Sequence, residues 1–294
     1  MKILGTGLDG LVGSRIVELL GDKYAFENLS ISTGIDITNR DDVLEKVKNS
    51  DAQIVLHLAA KTNVDGCELD KPLGEKGDAW RINVCGTQNV VDGCLQSNKK
   101  LIYISTDFVF DGTNPPLGGY SEEDIPNPIN WYAKTKYEGE KIVQNLKTPW
   151  IIARIASPYR AMFERLDFAR AILKRLQDGL PVAGVTDHIF TPTFIDDIVV
   201  ALYTLIENSS QGIFHVVGSQ SLTPFDASHL IAKEFDLDGS QISQTTRTEF
   251  FNNRAPRSFQ LALKNDKIGK LGIKMKTFEE GLKEIKSQMS KNNL

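Results

Sequence analysis

Lys2-Ile-Leu-Gly-Thr-Gly-Leu-Asp-Gly-Leu-Val-Gly13 opens the chain and sets its reading. A short apolar run enters a turn carrying Gly5, Gly7, Gly10 and Gly13, and an apolar-faced helix is expected over Leu11–Leu20. Glycines allow the tight turn and let backbone N–H groups approach a pyrophosphate, while the helix N-terminus adds a favourable dipole. Glycine turns are common, but one placed after a strand and before a helix is the mark of a dinucleotide site. Gly7, Asp9, Gly10, Leu11, Val12 and Gly13 are the expected cofactor contacts of this loop. An acid at the end of the second strand would bond an adenosine ribose 2′-OH and favour NAD. Ser30-Ile-Ser-Thr33 holds neither an acid nor an arginine. Its hydroxyls suit either dinucleotide, so the cofactor is NADPH or NADH, with the balance leaning to NADPH.

Outward from this loop, apolar runs alternate with amphipathic segments. Strands are expected at 2–6, 29–32, 53–58, 101–105 and 150–154, and helices at 11–20, 41–48, 75–97 and 132–146. This is the βαβ rhythm of a Rossmann-type, doubly wound parallel sheet. The rhythm loosens after about residue 156. Helices are expected at 168–177, 195–207 and 224–235, a strand at 213–217, and a last helix opened by the capping box Thr277-Phe-Glu-Glu280. The expected α/β architecture is a cofactor domain of residues 1–155 plus about 186–208, with a smaller, discontinuous substrate domain of 156–185 and 209–294. The tail from Lys291 to Leu294 is expected to fray.

Tyr132-Ala-Lys-Thr-Lys136 puts a tyrosine and a lysine four apart on one helix face. An ordinary phenol titrates near 10 and is a poor proton donor at neutral pH, and a nearby ammonium would lower that value and hold the nicotinamide ribose. Thr106, at the end of the 101–105 strand, would hydrogen-bond the same carbonyl oxygen that Tyr132 protonates. Ser105 is its rival. A second such spacing, Tyr137-Glu-Gly-Glu-Lys141, turns off the face of Tyr132 and does not open the helix.

The 294 residues carry a formal net charge of -4 and are 41% hydrophobic, enough for a sizeable core and without a global pull toward nucleic acid or anionic lipid. No apolar run is long enough to cross a membrane, and no secretory leader is visible, so a cytoplasmic protein without membrane or nucleic-acid partners is expected. Cys67, Cys85 and Cys94 have no paired spacing and read as reduced, mostly buried thiols. The four histidines lack metal-ligand spacing and His57 reads as a core residue, so no metal is expected.

The run Tyr103-Ile-Ser-Thr-Asp-Phe-Val-Phe-Asp-Gly112, with Tyr120-Ser-Glu-Glu-Asp124, Pro126-Asn-Pro128 and Tyr132–Glu140, resembles the dTDP-4-dehydrorhamnose reductase family of extended short-chain dehydrogenase/reductases. Asp36-Ile-Thr38, Ala59-Ala60, Thr62-Asn-Val-Asp65, Ile82-Asn83 and Gly212-Ile-Phe-His215 extend the resemblance over nearly the whole chain. It implies a reductase delivering hydride from NAD(P)H to a nucleotide-linked 4-keto-6-deoxysugar. Thr106, Tyr132 and Lys136 become the catalytic set, and Asn83 the organiser of a proton relay. Asp36, Ile37, Leu58, Ala59 and Ala60 become further cofactor contacts, with Asp36 capping the adenine. Val64, Asp65, Thr106, Asp107, Phe108 and Arg257 become substrate contacts. Phe108 stands where related dehydratases carry a glutamate, which argues against elimination chemistry. The oligomeric state stays open, with a homodimer as candidate.

The sugar side departs from that pattern at Ile155-Ala-Ser-Pro-Tyr159, which lacks a tryptophan, at Asp187-His-Ile-Phe-Thr-Pro-Thr193, at Val64-Asp-Gly-Cys-Glu68 and at Ala255-Pro256. Phe110–Pro116, Glu122–Pro126, Arg154-Ile155, Asp187-His188 and Pro256-Arg257 resemble the regulatory β subunit of methionine adenosyltransferase instead. A dinucleotide-binding regulatory subunit is therefore the alternative function, and another sugar-nucleotide epimerase or reductase a third.

Overall fold

The computed structural model describes residues 1–291. Of the expected frayed tail, 292–294 lie outside the described residues. The first elements in chain order are β1 (Lys2–Thr6), α1 (Leu11–Leu20), β2 (Ala25–Leu29), α2 (Arg40–Asn49), β3 (Ile54–His57), α3 (Val64–Asp70) and α4 (Asp78–Trp80). They are followed by α5 (Thr87–Gln96), β4 (Lys100–Thr106), α6 (Trp131–Gln144), β5 (Trp150–Ile155), β6 (Pro158–Tyr159), α7 (Phe168–Gln177), β7 (Val182–Val185) and β8 (Thr193–Phe194). The last are α8 (Ile195–Glu207), β9 (Gly212–His215), α9 (Pro224–Glu234), β10 (Ile242–Thr245), α10 (Arg247–Phe250), α11 (Asp266–Gly269) and α12 (Phe278–Lys291).

The chain divides into two compact units. The first holds Met1–Val109, Pro126–Arg154 and Leu202–Phe214, and the second holds Phe110–Ile125, Ile155–Ala201 and the chain from His215 onward. Residues 186–201 therefore group with the second unit, although the sequence reading grouped them with the first. The start of α8 is tied there: Asp197 accepts from the Lys276 backbone N–H and Nζ, and Asp196 accepts from Gln288.

A six-stranded sheet in the order β2-β1-β3-β4-β5-β9 organises the first unit, a doubly wound arrangement. The pairs β1–β2, β1–β3 and β3–β4 are parallel, with Leu4 opposite both Glu27 and Val55. Strand order reverses between β1 and β3, and in such sheets ligands bind beyond the carboxyl ends of the strands at that switch. One core layer packs Val43, Val47, Val90, Val91 and Cys94 from α2 and α5 against Leu4, Val55, Leu101 and Ile152 of the sheet.

Two expectations were misplaced. The second strand is Ala25–Leu29, not 29–32. It is an edge strand in which only Leu29 is fully buried, so it has no apolar run to signal it. The expected continuous helix 75–97 is broken. Lys71–Lys76 forms a 3₁₀ segment with Gly74 at φ 54°, and Gly77 is extended before α4 begins. Arg81–Gly86 is a π-helical segment leading into α5.

The second unit holds two two-stranded parallel pairs, β6–β8 and β7–β10. Its core is built from Leu173, Leu176, Ile231, Leu282 and Ile285 of the helices with the rings of Tyr159, Phe190, Phe194 and Phe278. Among the described residues no helix is long and apolar enough to cross a membrane, and no cluster of His, Cys, Asp or Glu could hold a metal ion. Cys67 and Cys94 are buried free thiols, whereas Cys85 is exposed.

Candidate cofactor and catalytic site

The glycine loop crosses the end of β1 and meets β3 with no room for side chains. A Cβ on Gly7 would lie 2.7 Å from the Ala59 nitrogen, and the residue holds φ +69°. A Cβ on Gly13 would lie 2.4 Å from the Gly7 carbonyl oxygen. The Gly10 N–H donates to the Gly7 carbonyl at 3.1 Å, closing the turn before α1. Leu58 N–H donates to the Thr6 carbonyl and Ala59 N–H to the Thr6 hydroxyl, which fixes the β3 exit beside the loop. This cradle of open backbone at a helix N-terminus fits a dinucleotide pyrophosphate. Gly7, Gly10, Gly13, Leu58, Ala59 and Ala60 thus gather at the β1/β3 switch. Leu11 and Val12 begin α1. Asp36 is exposed and its carboxylate accepts from the Thr38 N–H at 2.8 Å, a turn-forming bond. Ile37 is buried against Gly86, and its carbonyl accepts from Asn89.

Beneath the loop runs a buried polar chain. The Thr6 hydroxyl and His57 Nδ1 are 2.6 Å apart, and His57 Nε2 lies 3.0 Å from the Thr87 hydroxyl. That hydroxyl donates to the Asn83 carbonyl, so His57 carries its proton on Nε2. Burial pulls the imidazole down to about 3, with the Lys136 charge adding to the effect, and the ring is a neutral spacer. The Asn83 amide donates to the Lys61 carbonyl at 3.1 Å and the Thr135 hydroxyl at 2.9 Å, and its oxygen accepts from the Lys61 N–H at 2.8 Å. The π-helical turn delivers this side chain inward, 1% exposed, where an unbroken helix register would be shifted.

Helix α6 starts at an Asn130 cap whose side chain accepts from the Ala133 N–H. Trp131 N–H donates to Glu68 at 2.7 Å, tying this start to α3. Tyr132 and Lys136 are both buried, one turn apart on the inward face. Tyr132 packs edge-on to Phe108, with ring centroids 6.1 Å apart, in a cluster with Cys67, Ala79, Val64 and Trp131. The Thr106 hydroxyl donates to Asp107 Oδ1 at 3.0 Å and accepts from the Phe108 N–H at 3.3 Å. Ser105, the rival hydroxyl, is buried with no partner among the described residues. Tyr137 and Lys141 form a separate partly exposed pair, with the ammonium 5.4 Å from the ring centroid and bonded to Glu138.

The electrostatics differ from the expectation. Burial pushes the Tyr132 phenol well above its ordinary range, and Lys136 is not among the groups that shift it. The Lys136 ammonium donates to the Ile104 carbonyl at 2.8 Å and lies 4.0 Å from the centroid of the Tyr103 ring. Burial lowers its own value to about 7. The Glu140 carboxylate opposes this; Arg154 clamps both its oxygens at 2.9 and 2.7 Å in a fully buried ion pair. The sequence overlooked Asp107 as a titrating group. Burial raises it to about 7, against the Thr106 hydrogen bond that lowers it. Nothing in the sequence marks this, since the shift comes from the packing around the strand end.

Val64 and Asp65 open α3, with Val64 packed on the Tyr132 cluster. Arg257 belongs to the second unit, where it donates to the Ala255 carbonyl at 2.7 Å and lies 5.0 Å from the Phe251 ring centroid. In that unit His188 Nδ1 bonds the Ser258 carbonyl at 2.7 Å and stacks on Phe190, which is itself edge-on to Phe168.

Residues 1–291 match the family model described as the RmlD substrate binding domain. The chain is 28% identical to a dTDP-4-dehydrorhamnose reductase of Aggregatibacter actinomycetemcomitans, over 97% of this chain and 98% of that one. It is 33% identical to methionine adenosyltransferase 2 subunit beta of Bos taurus, over 79% of this chain and 69% of that one. Among solved structures it is similar to the dTDP-4-dehydrorhamnose reductase of Bacillus anthracis in complex with NADP. That match has a TM-score of 0.89, 29% identity and coverage of 98% of this chain and 99% of the other.

Proposed function

The chain belongs to the RmlD substrate binding domain family, and from that premise we propose that it reduces the C4 ketone of a nucleotide-linked 4-keto-6-deoxysugar of the dTDP-4-dehydrorhamnose type. At the coarser level it is an NAD(P)H-dependent oxidoreductase of nucleotide sugars, a conclusion that rests on its full-length relatives. The observation that carries the finer reading is the burial of Thr106 at the end of β4 and of Tyr132 and Lys136 in the first half of α6, in the unit that also holds the glycine cradle.

When bound, the reduced dinucleotide supplies the hydride. Tyr132 gives its phenolic proton to the carbonyl oxygen as that oxygen gains charge. Burial keeps the phenol protonated at neutral pH, and a positive charge on Lys136 in the occupied site would bring its value down toward the range in which it gives up that proton. Thr106 orients the same oxygen by a hydrogen bond. Lys136, once near a phosphate-bearing ligand, regains its charge and supports the phenolate left behind. Asn83 is a positioning residue, since all three of its side-chain bonds brace Lys61 and the Tyr132 turn. Gly7, Gly10 and Gly13 carry the pyrophosphate, Asp36 caps the adenine, and Ile37, Leu58, Ala59 and Ala60 line the dinucleotide. Val64, Asp65, Asp107, Phe108 and Arg257 are offered as substrate contacts.

A partner-subunit role is the second reading, favoured by the 33% identity to the methionine adenosyltransferase β subunit. The test mixes purified protein with dTDP-4-dehydrorhamnose and NADH or NADPH and follows reduced-nicotinamide absorbance. Turnover that Tyr132→Phe abolishes supports the reductase. No oxidation of either cofactor, with co-purification of a methionine adenosyltransferase catalytic subunit, would replace it with the second reading.

A further inference from the structure

We propose that Asp9 makes this chain select NADH over NADPH. The proposal rests on the dinucleotide reading of the glycine loop and specifies which dinucleotide that loop takes. The adenosine ribose is read at the end of the second strand, where an acid accepts from a 2′-OH and an arginine takes a 2′-phosphate. Asn28-Leu-Ser-Ile-Ser-Thr33 supplies neither. The fold brings an acid to the same place from the phosphate loop.

The Asp9 carboxylate accepts from Asn28 Nδ2 at 2.9 Å to each oxygen, from Ser30 Oγ at 3.1 Å and from Ser32 Oγ at 2.7 Å. Three side chains from the end of β2 and its following turn thus hold one carboxylate. The Ser32 and Asn28 hydrogen bonds hold Asp9 below the usual carboxylate range, so it is ionised at neutral pH. Neither the loop 5–13 nor the segment 28–33 contains a lysine or arginine. The serines from which sequence alone leaned to NADPH are turned toward Asp9. A ribose diol can donate to this carboxylate. A 2′-phosphate instead brings close to two negative charges against a fixed like charge. At contact distance in water that repulsion weakens binding on the order of tenfold or more.

Calorimetric titration of the full chain with NADH and with NADPH, at low and high salt, tests this. The expected result is NADH binding on the order of tenfold tighter at low salt, with the gap narrowing as salt screens the charge. Asp9→Asn removes the charge and one of the two acceptor oxygens, and should close most of the gap by strengthening NADPH relative to NADH. Equal or tighter NADPH binding by the unaltered protein overturns the proposal, and so does a variant that weakens both dinucleotides alike. Binding of neither dinucleotide would instead remove the glycine-loop reading beneath it. The salt series needs no variant and stands even if Asp9→Asn fails to fold.

Discussion

The first unit buries a bonded polar set around the candidate site, whereas the second packs a cluster of aromatic rings beside its own buried Asp167–Arg170 pair. Thr6, His57, Asn83, Thr106, Lys136 and Glu140 are all less than 10% exposed in the first; His57 bonds Thr6 and Thr87, Asn83 bonds Lys61 and Thr135, and Glu140 bonds Arg154. In the second, Tyr159, Phe168, Phe190 and Phe278 meet at centroid distances between 5.2 and 5.8 Å. A buried polar group left without its partner costs more than a misfitted apolar one, so such sets tolerate little change. Apolar cores accept many combinations of similar volume. His188 and Phe190, which look like changes to a sugar site, are packed into the second unit's interior.

The largest effect is expected where a bonded polar set is broken. Glu140→Gln removes the carboxylate charge that two Arg154 nitrogens bond in the buried interior and should cost roughly 3–5 kcal/mol, read as a shift in the urea midpoint. An effect below about 1 kcal/mol would mean that the pair is not the anchor its burial suggests. Tyr132→Phe should lower turnover at least about a hundredfold, about 2.7 kcal/mol in barrier, while folding is retained. Steady-state kinetics beside Tyr137→Phe, expected within about twofold of the parent, check this against the surface pair.

Asp107 comes next. An acid whose folded value is raised binds more protons folded than unfolded, so its contribution to stability is present at low pH. That contribution is lost as pH rises from the unfolded value near 4 to about 7. Asp107→Asn should therefore gain on the parent by about 2 kcal/mol between pH 5 and 8. Thermal midpoints at both values measure it, and a constant difference would deny the shift. The smallest effect belongs to the aromatic side: Phe190→Leu should cost roughly 1–2 kcal/mol in stability. Dinucleotide affinity should stay unchanged by calorimetry, and a lost affinity would blur the contrast between the units.

The Gly7, Gly10 and Gly13 cradle, the inward Tyr132–Lys136 pair and the core role of His57 were legible because each is local. Helix periodicity, a glycine turn or a polar residue inside an apolar run carries its own geometry. The edge strand Ala25–Leu29 and the break between Gly74 and Gly86 were not legible, since one lacks an apolar signature and the other is set by packing.

By itself the sequence determined the doubly wound first unit and the face of α6 that carries the candidate chemistry, because both follow from residue spacing along one element. Tertiary structure alone decided the order β2-β1-β3, the charge state of Asp107 and Lys136, and the arrival of Asp9 beside Ser30 and Ser32. Those depend on which distant segments exclude water from a group or bond to it, and distance in space is not written in distance along the chain.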